Sequence, residues 1–234
     1  MSTGDMYTDG DYLKNNPTWD VEDAPWKADL IFTMMEKHNL RPVTVCEVGC
    51  GCGEILAQLQ KKLPASTRLT GYEISPQAVE LCKQRENERL SFCLANFCDE
   101  PKTSCDLILL IDLIEHLEDY HKFLRDVKPR SHYKILHIPL EMFVLAVLYP
   151  AFHLGQRKKV GHLHFFSRDL ALQALRDLGY EVLDSAYTAG YALPRDYGLK
   201  DKLLKIPRAL FYSVAPDFTV RVFGGYSLLV LVKS

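Results

Sequence analysis

The chain has 234 residues, of which 47% are apolar and 25% charged, the composition of an ordinary globular domain. Collagen-like, coiled-coil and wholly disordered structures are therefore excluded. The longest uncharged apolar run, residues 142–152, contains Pro150 and is shorter than the roughly 20 residues that a membrane span needs. Residues 1–11 carry acids and glycines where a secretory signal has a basic start, so we expect a cytoplasmic protein.

Charge is distributed unevenly along the chain. Residues 1–117 hold 11 basic and 19 acidic side chains, whereas the remainder holds 17 basic and 11 acidic ones. The positive second half suits an anionic partner, although ordinary solvated surface is the simpler interpretation. The seven cysteines lie between Cys46 and Cys105, which favours free thiols in a reducing compartment. Because they lack the paired Cys-x-x-Cys spacing of a zinc site, we predict no metal.

The chain begins with a polar, acidic arm. Residues 1–24 contain Tyr7, Tyr12 and Trp19 but too little apolar surface to fold alone, so we expect the arm to lie on the body and close as a lid. A helix follows from Pro25, since proline suits the first helical turn, and it ends at Arg41 and Pro42. Residues 25–234 are predicted to form a single domain.

Beyond residue 42, short β-rich runs alternate with helical stretches, the pattern of a mostly parallel sheet covered on both faces. Ser75 and Ser167 are predicted helix N-caps, and Gly179 ends the helix that Ser167 begins. The predicted strands are residues 43–48, 68–73, 90–94, 105–111, 133–138, 180–187 and 226–232, and the predicted helices are 54–63, 75–85, 118–127 and 167–178.

The most informative segment joins the first predicted strand to its helix. Gly49, Gly51 and Gly53 alternate there, which lets a ligand approach the backbone closely because no Cβ intervenes. A dinucleotide fingerprint would have glycine where this chain has Glu54, whose carboxylate would oppose a pyrophosphate. Glu47, two residues before the first glycine, suits instead a cofactor that carries a cationic amine and no phosphate.

This segment resembles the first motif of the class I S-adenosylmethionine-dependent methyltransferases, Glu/Asp-x-Gly-x-Gly-x-Gly, and the later motifs are similar to those of the small-molecule type. The resemblance covers about nine tenths of the chain. It implies a Rossmann-like, doubly wound α/β fold with helices on both faces of a seven-stranded sheet. The last strand would run antiparallel between strands five and six. The implied cofactor is S-adenosylmethionine, and its product is S-adenosylhomocysteine.

The resemblance also implies a set of cofactor-binding residues. Glu73, at the end of the second strand, would accept both ribose hydroxyls, and Asn96 with Phe97 would hold the adenine. Asp112 lies where the family passes the methionine end, although an acid there also suits a helix N-terminus. The implied cofactor-binding residues are Glu47, Gly49, Gly51, Gly53, Glu73, Ile74, Asn96, Phe97, Asp112 and Leu113.

Three histidines are candidates for the general base that an oxygen or carbon acceptor would need, namely His162, His164 and His116. His162 and His164 rank first because they lie on the segment that faces the methyl group in the family. Since they alternate, at most one should face the cleft. Glu141 is a further candidate, His116 also suits a packing role, and an amine acceptor would need no base.

The acceptor is predicted to be a small molecule. The Asn/Asp-Pro-Pro-Tyr/Phe signature of the adenine and glutamine enzymes is absent, and the near-neutral charge makes nucleic acid an unfavoured substrate. Residues 140–161, apolar and then basic, are predicted to form a substrate cap for an anionic or amphipathic acceptor, with residues 193–215 as a second cap element. Two alternatives stay open: a non-catalytic cofactor-binding protein, and a peripheral membrane enzyme with a lipid-like acceptor.

Overall fold

The fold is taken from a computed structural model, which describes residues 7, 9–19, 21–100, 103–149, 151–190, 193 and 199–234, without the side chains of residues 11 and 199–202. Its strands are β1 (Thr44–Val48), β2 (Arg68–Glu73), β3 (Leu90–Leu94), β4 (Leu107–Ile111), β5 (Tyr133–Pro139), β6 (Glu181–Thr188) and β7 (Ser227–Lys233). Each predicted strand is present, with ends that differ by no more than two residues.

The strands form one seven-stranded sheet in the order β3-β2-β1-β4-β5-β7-β6. The first five strands pair in parallel, and β7 pairs antiparallel with both β5 and β6. This arrangement confirms the predicted fold, including the antiparallel last strand.

The helices begin where the sequence provides caps. Ser75 Oγ accepts a hydrogen bond from the Ala78 N–H, and Ser167 Oγ accepts one from the Leu170 N–H. The described helices are α1 (Asp11–Asn15), α2 (Ala24–Lys37), α3 (Glu54–Gln60), α4 (Pro76–Cys82), α5 (Tyr120–Val127), α6 (Val144–Val147), α7 (Ala151–Lys159), α8 (Arg168–Asp177), α9 (Leu199–Val214) and α10 (Pro216–Phe223).

Apolar side chains of the central strands pack on both faces of the sheet, as a doubly wound fold requires. Along β4, Leu107, Leu109 and Ile111 join the core beneath α2 and α3, whereas Ile108 and Leu110 join the core beneath α5 and α8. The sheet is thereby fixed from both sides, which gives the loops at its carboxyl edge a rigid base.

The position of the site follows from the strand order. The chain runs outward from β1 through β2 to β3 and then returns to β4, on the other side of β1. The carboxyl ends of β1 and β4 therefore lie side by side at the point where the order reverses, which is where open α/β sheets bind ligands. Among the described residues, no helix has the length and apolar character to span a membrane.

Candidate active site

A cavity of about 820 Å³ opens at the carboxyl ends of β1 and β4. Its walls come from the glycine loop after β1, the segment after β4, the N-terminal arm and the chain following β5. This volume lies within the range of small-molecule sites.

The glycine loop has a backbone geometry that glycine adopts more easily than other residues. Gly49, Gly51 and Gly53 have φ values of 71°, 53° and 76°, in the left-handed region that favours glycine. The N–H groups of Gly49 and Cys50 both donate to the Tyr72 carbonyl, at 2.8 and 3.2 Å, and so hold the loop against β2. A Cβ on Gly51 would come within 3.4 Å of the Trp19 ring, so the arm lies directly over this loop.

Glu73 is buried at the end of β2 and organises the loop. Its Oε2 accepts from the Gly51 N–H at 2.9 Å, and its Oε1 accepts from the N–H groups of Ile74 and Ser75 at 2.8 and 2.9 Å. Burial raises the pKa of this carboxyl, and the three N–H donors act in the opposite direction. Each carboxylate oxygen can accept more than one hydrogen bond, so Glu73 retains capacity for the hydroxyls of a bound ribose.

Glu47 is the second acid of the cavity, with only 1% of its surface exposed. Its Oε2 is buried without a hydrogen-bond partner among the described residues. Burial raises the pKa of this carboxyl well above its usual range, and the charge of Lys27 lowers it. A buried acceptor of this kind fits a ligand that brings a cationic amine, as the amino-acid end of S-adenosylmethionine would.

Three further predicted cofactor-binding residues occupy different environments. Ile74, 43% exposed, and Asn96 both line the cavity. Asn96 Oδ1 already accepts from the Cys98 N–H at 3.1 Å, so its amide is oriented as the cap of a short 3-10 turn. Phe97 is 1% exposed and packs edge-on against Tyr72 at 4.9 Å between ring centroids. It supports the floor of the cavity.

Asp112 belongs to a chain of polar contacts at the carboxyl ends of β4 and β5. Its two oxygens lie 2.7 Å from Lys27 Nζ and 2.6 Å from His137 Nδ1, and His137 Nε2 lies 2.9 Å from Thr188 Oγ1. Although burial raises the pKa of Asp112, the charges and hydrogen bonds of His137 and Lys27 outweigh burial and hold it below its usual range. Asp112 is thus an ionised anchor in the cavity wall, and Leu113 follows it against Gly49.

Two of the three candidate bases lie together in the cavity. His162 and His116 line the cavity, with ring centroids 4.8 Å apart. His164 is not among the described lining residues, because its Nε2 bonds the Leu117 carbonyl at 2.8 Å and its ring packs on Tyr120. As alternation implies, one of the pair faces the cleft, and the structure places His164 away from it.

His162 is paired with a carboxylate. Its Nδ1 lies 2.6 Å from Glu141 Oε2, and the Gln156 amide donates to the other oxygen of Glu141. His116 Nδ1 lies 2.7 Å from the Tyr7 hydroxyl of the arm. Burial and the neighbouring His162 lower the pKa of His116 to about 3, so its ring is neutral at pH 7.

Glu115 is the most deeply buried acid of the site, with 0% exposure. Neither of its carboxylate oxygens has a hydrogen-bond partner in the described part of the chain. Burial and the negative charge of Asp112 raise the pKa of this carboxyl well above its usual range. Burying a carboxyl without a hydrogen-bond partner destabilises the fold, so this side chain indicates that a ligand binds here.

The segment after β5 contributes differently from expectation. Phe143, Phe152, Gln156 and Val160 line the cavity, but the basic residues Arg157, Lys158 and Lys159 are exposed and lie away from it. The expected cationic half of the cap is therefore solvated surface within residues 140–161. In the second cap element, Leu193 and Arg208 line the cavity, whereas Leu203 and Leu210 are exposed.

Sequence reasoning missed Lys27 and His137 as cavity residues. His137 carried a usable signal, because it is near the end of β5 and the carboxyl ends of neighbouring parallel strands meet at one edge. Lys27 lies on α2 and has no local pattern that marks it.

The sheet order, the glycine loop and the buried acids define a Rossmann-like protein with a nucleoside-type cofactor site. A methyltransferase-domain family matches residues 24–185. This match covers more than half of the chain, so the chain belongs to that family, as the sequence motifs predicted. Family membership also agrees with S-adenosylmethionine as the predicted cofactor.

Individual relatives are more distant. Ajmaline N-methyltransferase from Rauvolfia serpentina is 32% identical over 94 residues, 37% of this chain, and the chain spans about a third, 32%, of that enzyme's length. Magnesium protoporphyrin IX methyltransferase from Synechocystis PCC 6803, solved with S-adenosylhomocysteine, is 14% identical, with a TM-score of 0.59 over 89% of this chain and 82% of that one. The plantazolicin methyltransferase is 18% identical, with a TM-score of 0.62 over 100% and 94% of the two chains. These likenesses show the fold.

Proposed function

We propose that this protein binds S-adenosylmethionine and transfers its methyl group to a small molecule in the same cavity. The observation that carries the proposal is the cradle made by Gly51 and Glu73, in which a buried carboxylate organises a left-handed glycine loop at the reversal of strand order. Glu47 Oε2, which has no hydrogen-bond partner in the part of the chain that the structure describes, suits the amino group of the same cofactor. When bound, S-adenosylmethionine supplies an electrophilic methyl group on a sulfonium.

The residues of this chain then have three tasks. Glu73, Ile74, Asn96 and the glycine loop hold the nucleoside, and Glu47 holds the amino-acid end. Asp112, fixed by Lys27 and His137, shapes the wall at the reacting end. The arm excludes water, because Trp19 covers Gly51 and Tyr7 reaches His116.

For an acceptor with a hydroxyl group, His162 is the proposed base. With Glu141 ionised, His162 Nδ1–H donates to Glu141 Oε2, which leaves Nε2 to accept a proton. His116 stays neutral and packs beside it. Displacement at the methyl carbon forms the acceptor–carbon bond, and the electron pair of the broken carbon–sulfur bond goes to sulfur.

Calorimetry with S-adenosylhomocysteine tests the cofactor site. Glu73→Ala should weaken binding by about 2 kcal/mol, roughly 30-fold, because the ribose loses its acceptor and the loop N–H groups lose theirs. The affinity of Glu73→Gln should lie between those of the wild type and Glu73→Ala. Glu80→Gln changes an exposed acid of α4 and should leave the affinity unchanged. Equal affinity in all four proteins would refute the proposed ribose site.

Turnover separates an enzyme from a protein that only holds the cofactor. Purified protein should transfer the labelled methyl group of S-adenosylmethionine to at least one member of a panel of phenols, carboxylates, amines and lipids. Tight cofactor binding with no transfer to any class would favour the sensor or partner-subunit alternative.

The exposed apolar surface favours a lipid-like acceptor as a second candidate. Apolar residues that face solvent include Leu148 directly after α6 at 74% exposure, Leu154 of α7 at 68% and Ile206 of α9 at 76%. Both α6 and α9 pack against α10. Exposed basic side chains, Arg157, Lys158 and Lys159, flank them. An apolar surface with basic flanks is typical of proteins that lie on anionic membranes.

Vesicle flotation tests this second candidate. The protein should float with vesicles that contain phosphatidylserine at low salt and less at high salt. Leu148→Asp with Ile206→Asp should abolish flotation. Val43→Asp, at an equally apolar exposed position at the amino end of the sheet, is the control and should not. Flotation that is the same for all three proteins would exclude this surface as a membrane contact.

A further inference from the structure

The acceptor end of the cavity contains a cluster that methyl transfer alone does not explain. One carboxylate oxygen of Glu115 and one ring nitrogen each of His116 and His162 lie within 4.8 Å of one another. All three residues line the cavity. Two come from the turn after β4 and the third from the segment before α8, so the fold assembles the cluster from separate parts of the chain.

Backbone hydrogen bonds fix these two segments together. The N–H groups of Leu163 and His164 both donate to the Glu115 carbonyl, at 2.7 and 3.1 Å. The chain directly after His162 is therefore fixed by main-chain contacts to the residue before His116. A site built in this way is organised before any ligand enters, which lowers the cost of binding.

The groups around the two histidines are arranged as they are around histidines that bind a metal. A histidine that binds a metal through one nitrogen usually engages a carboxylate, hydroxyl or carbonyl with the other. His162 Nδ1 lies 2.6 Å from Glu141 Oε2, and His116 Nδ1 lies 2.7 Å from the Tyr7 hydroxyl. These contacts assign Nε2 of each ring to an ion, and His116 Nε2 lies 3.9 Å from Glu115 Oε1.

Glu115 supplies the independent sign of a ligand. Its side chain has 0% exposure, and both carboxylate oxygens lack a described partner. Two further acids, Asp112 and Glu141, line the same cavity, so the surroundings are negative. A divalent cation would satisfy Glu115 and offset this charge, which a neutral ligand would not do.

We propose that Glu115, His116 and His162 bind one divalent first-row transition ion, of the Zn²⁺ or Fe²⁺ kind. Two imidazole nitrogens and one carboxylate oxygen suit these ions better than Mg²⁺ or Ca²⁺, which prefer oxygen ligands throughout. Ligand atoms of a tetrahedral site lie about 3.4 Å apart, so each atom needs to move by less than about 1 Å to close on the ion. Three protein ligands leave a position open toward the cavity.

The open coordination position indicates which class of methyl acceptor the site would take. This inference rests on the proposed function. An acceptor hydroxyl or carboxyl oxygen would bind there, lose its proton to water and form the bond to the methyl carbon, while the carbon–sulfur electron pair goes to sulfur. His162 then acts as a ligand and not as the base, because the ion lowers the pKa of the bound acceptor enough for water to take the proton. The favoured acceptors are therefore oxygen compounds able to bind a metal.

Metal titration of the tag-free, full-length protein tests the site. After removal of bound metal with a chelator, Co²⁺ should bind with one-to-one stoichiometry and give visible absorption bands, and Zn²⁺ should displace it. Glu115→Gln, His116→Gln and His162→Gln should each weaken Co²⁺ binding by at least 10-fold. His164→Gln, two residues away on the same segment and bonded to the Leu117 carbonyl, is the matched control and should bind as the wild type does.

Calorimetry with S-adenosylhomocysteine on the same proteins shows that each variant is folded and keeps the two proposals separate. Retained cofactor binding with no Co²⁺ binding to the wild type, or with equal Co²⁺ binding by wild type and the three cluster variants, would overturn the metal site and leave the methyltransferase proposal intact. Selective loss of Co²⁺ binding in the cluster variants would support the metal site even if no form bound the cofactor analogue, an outcome that would refute only the proposed function.

Discussion

Gly51 lies where the glycine loop and the arm come close together. Its φ of 53° is left-handed, and a Cβ there would come within 3.4 Å of Trp19. Any side chain at this position therefore strains the loop and occupies space between the loop and the arm.

Gly51→Val should consequently lower the affinity for S-adenosylhomocysteine by at least about 10-fold, or 1.4 kcal/mol. Gly155→Ala is the matched control, because a Cβ built on Gly155 in α7 would meet no atom of the described residues within 4 Å beyond its own helix backbone and chain neighbours. Calorimetry on both variants, with circular dichroism to confirm folding, measures the difference. A folded Gly51→Val protein with unchanged affinity would show that the ligand does not lie along this loop.

Sequence reasoning was strongest for residues whose role depends on local backbone geometry. The left-handed φ values of Gly49, Gly51 and Gly53 were predictable because three alternating glycines after a buried strand favour a tight loop that only glycine adopts without strain. The partners of Asp112 were not predictable, because Lys27 and His137 reach it from α2 and β5. Glu115 and His116 were visible in the sequence, but only the fold brings His162 to them.

At the scale of elements, the arm is the segment that we expect to move when the cofactor binds. Tyr7, Tyr12 and Trp19 all line the cavity, with centroid distances of 5.0 Å between the tyrosines and 4.7 Å between Tyr12 and Trp19. The described part of the arm thus places three aromatic side chains over the cavity. We expect it to tighten when cofactor fills the space beneath it.

Tryptophan fluorescence gives a direct measurement of this closure, because the chain has two tryptophans, Trp19 and Trp26, and both line the cavity. S-adenosylhomocysteine should change the emission of the wild type, and Trp19→Phe should remove most of that change while Trp26→Phe retains it. Hydrogen exchange across residues 1–26 should slow in parallel. Identical exchange with and without the ligand would show that the arm is not a lid.

The boundaries of most elements were predictable because short-range signals set them. Ser75, Ser167 and Gly179 act as caps and stops within one turn of the residues that they affect. The cap segments were harder, since apolar content in α6 does not reveal which side faces the cavity. Packing against α10 decides this, and it leaves Leu148 exposed while Phe143 lines the site.

At the scale of the whole molecule, the buried amine of Lys134 in the sheet makes the free energy of unfolding depend on pH. It lies on β5 with 0% exposure, and its Nζ donates to the carbonyls of Lys128 and Ser131 at 2.9 and 3.0 Å and to Ser234 Oγ at 2.6 Å. Burial lowers the pKa of its amine from 10.5 to about 8. The folded protein therefore releases this proton at a lower pH than the unfolded chain does.

Between pH 8 and 10.5 the unfolded chain holds more protons at this position than the folded protein, so the contribution of Lys134 to the free energy of unfolding rises with pH. Below pH 8 both states are protonated, and the buried charge is at its most costly. Lys134→Met removes the titration without altering the other groups that ionise at high pH, such as the buried tyrosines. Urea unfolding of both proteins at pH 7, 8, 9 and 10 should show wild type gaining stability relative to the variant as pH rises. A difference in unfolding free energy that stays constant across this range would mean that Lys134 ionises in the folded protein as it does in the unfolded chain.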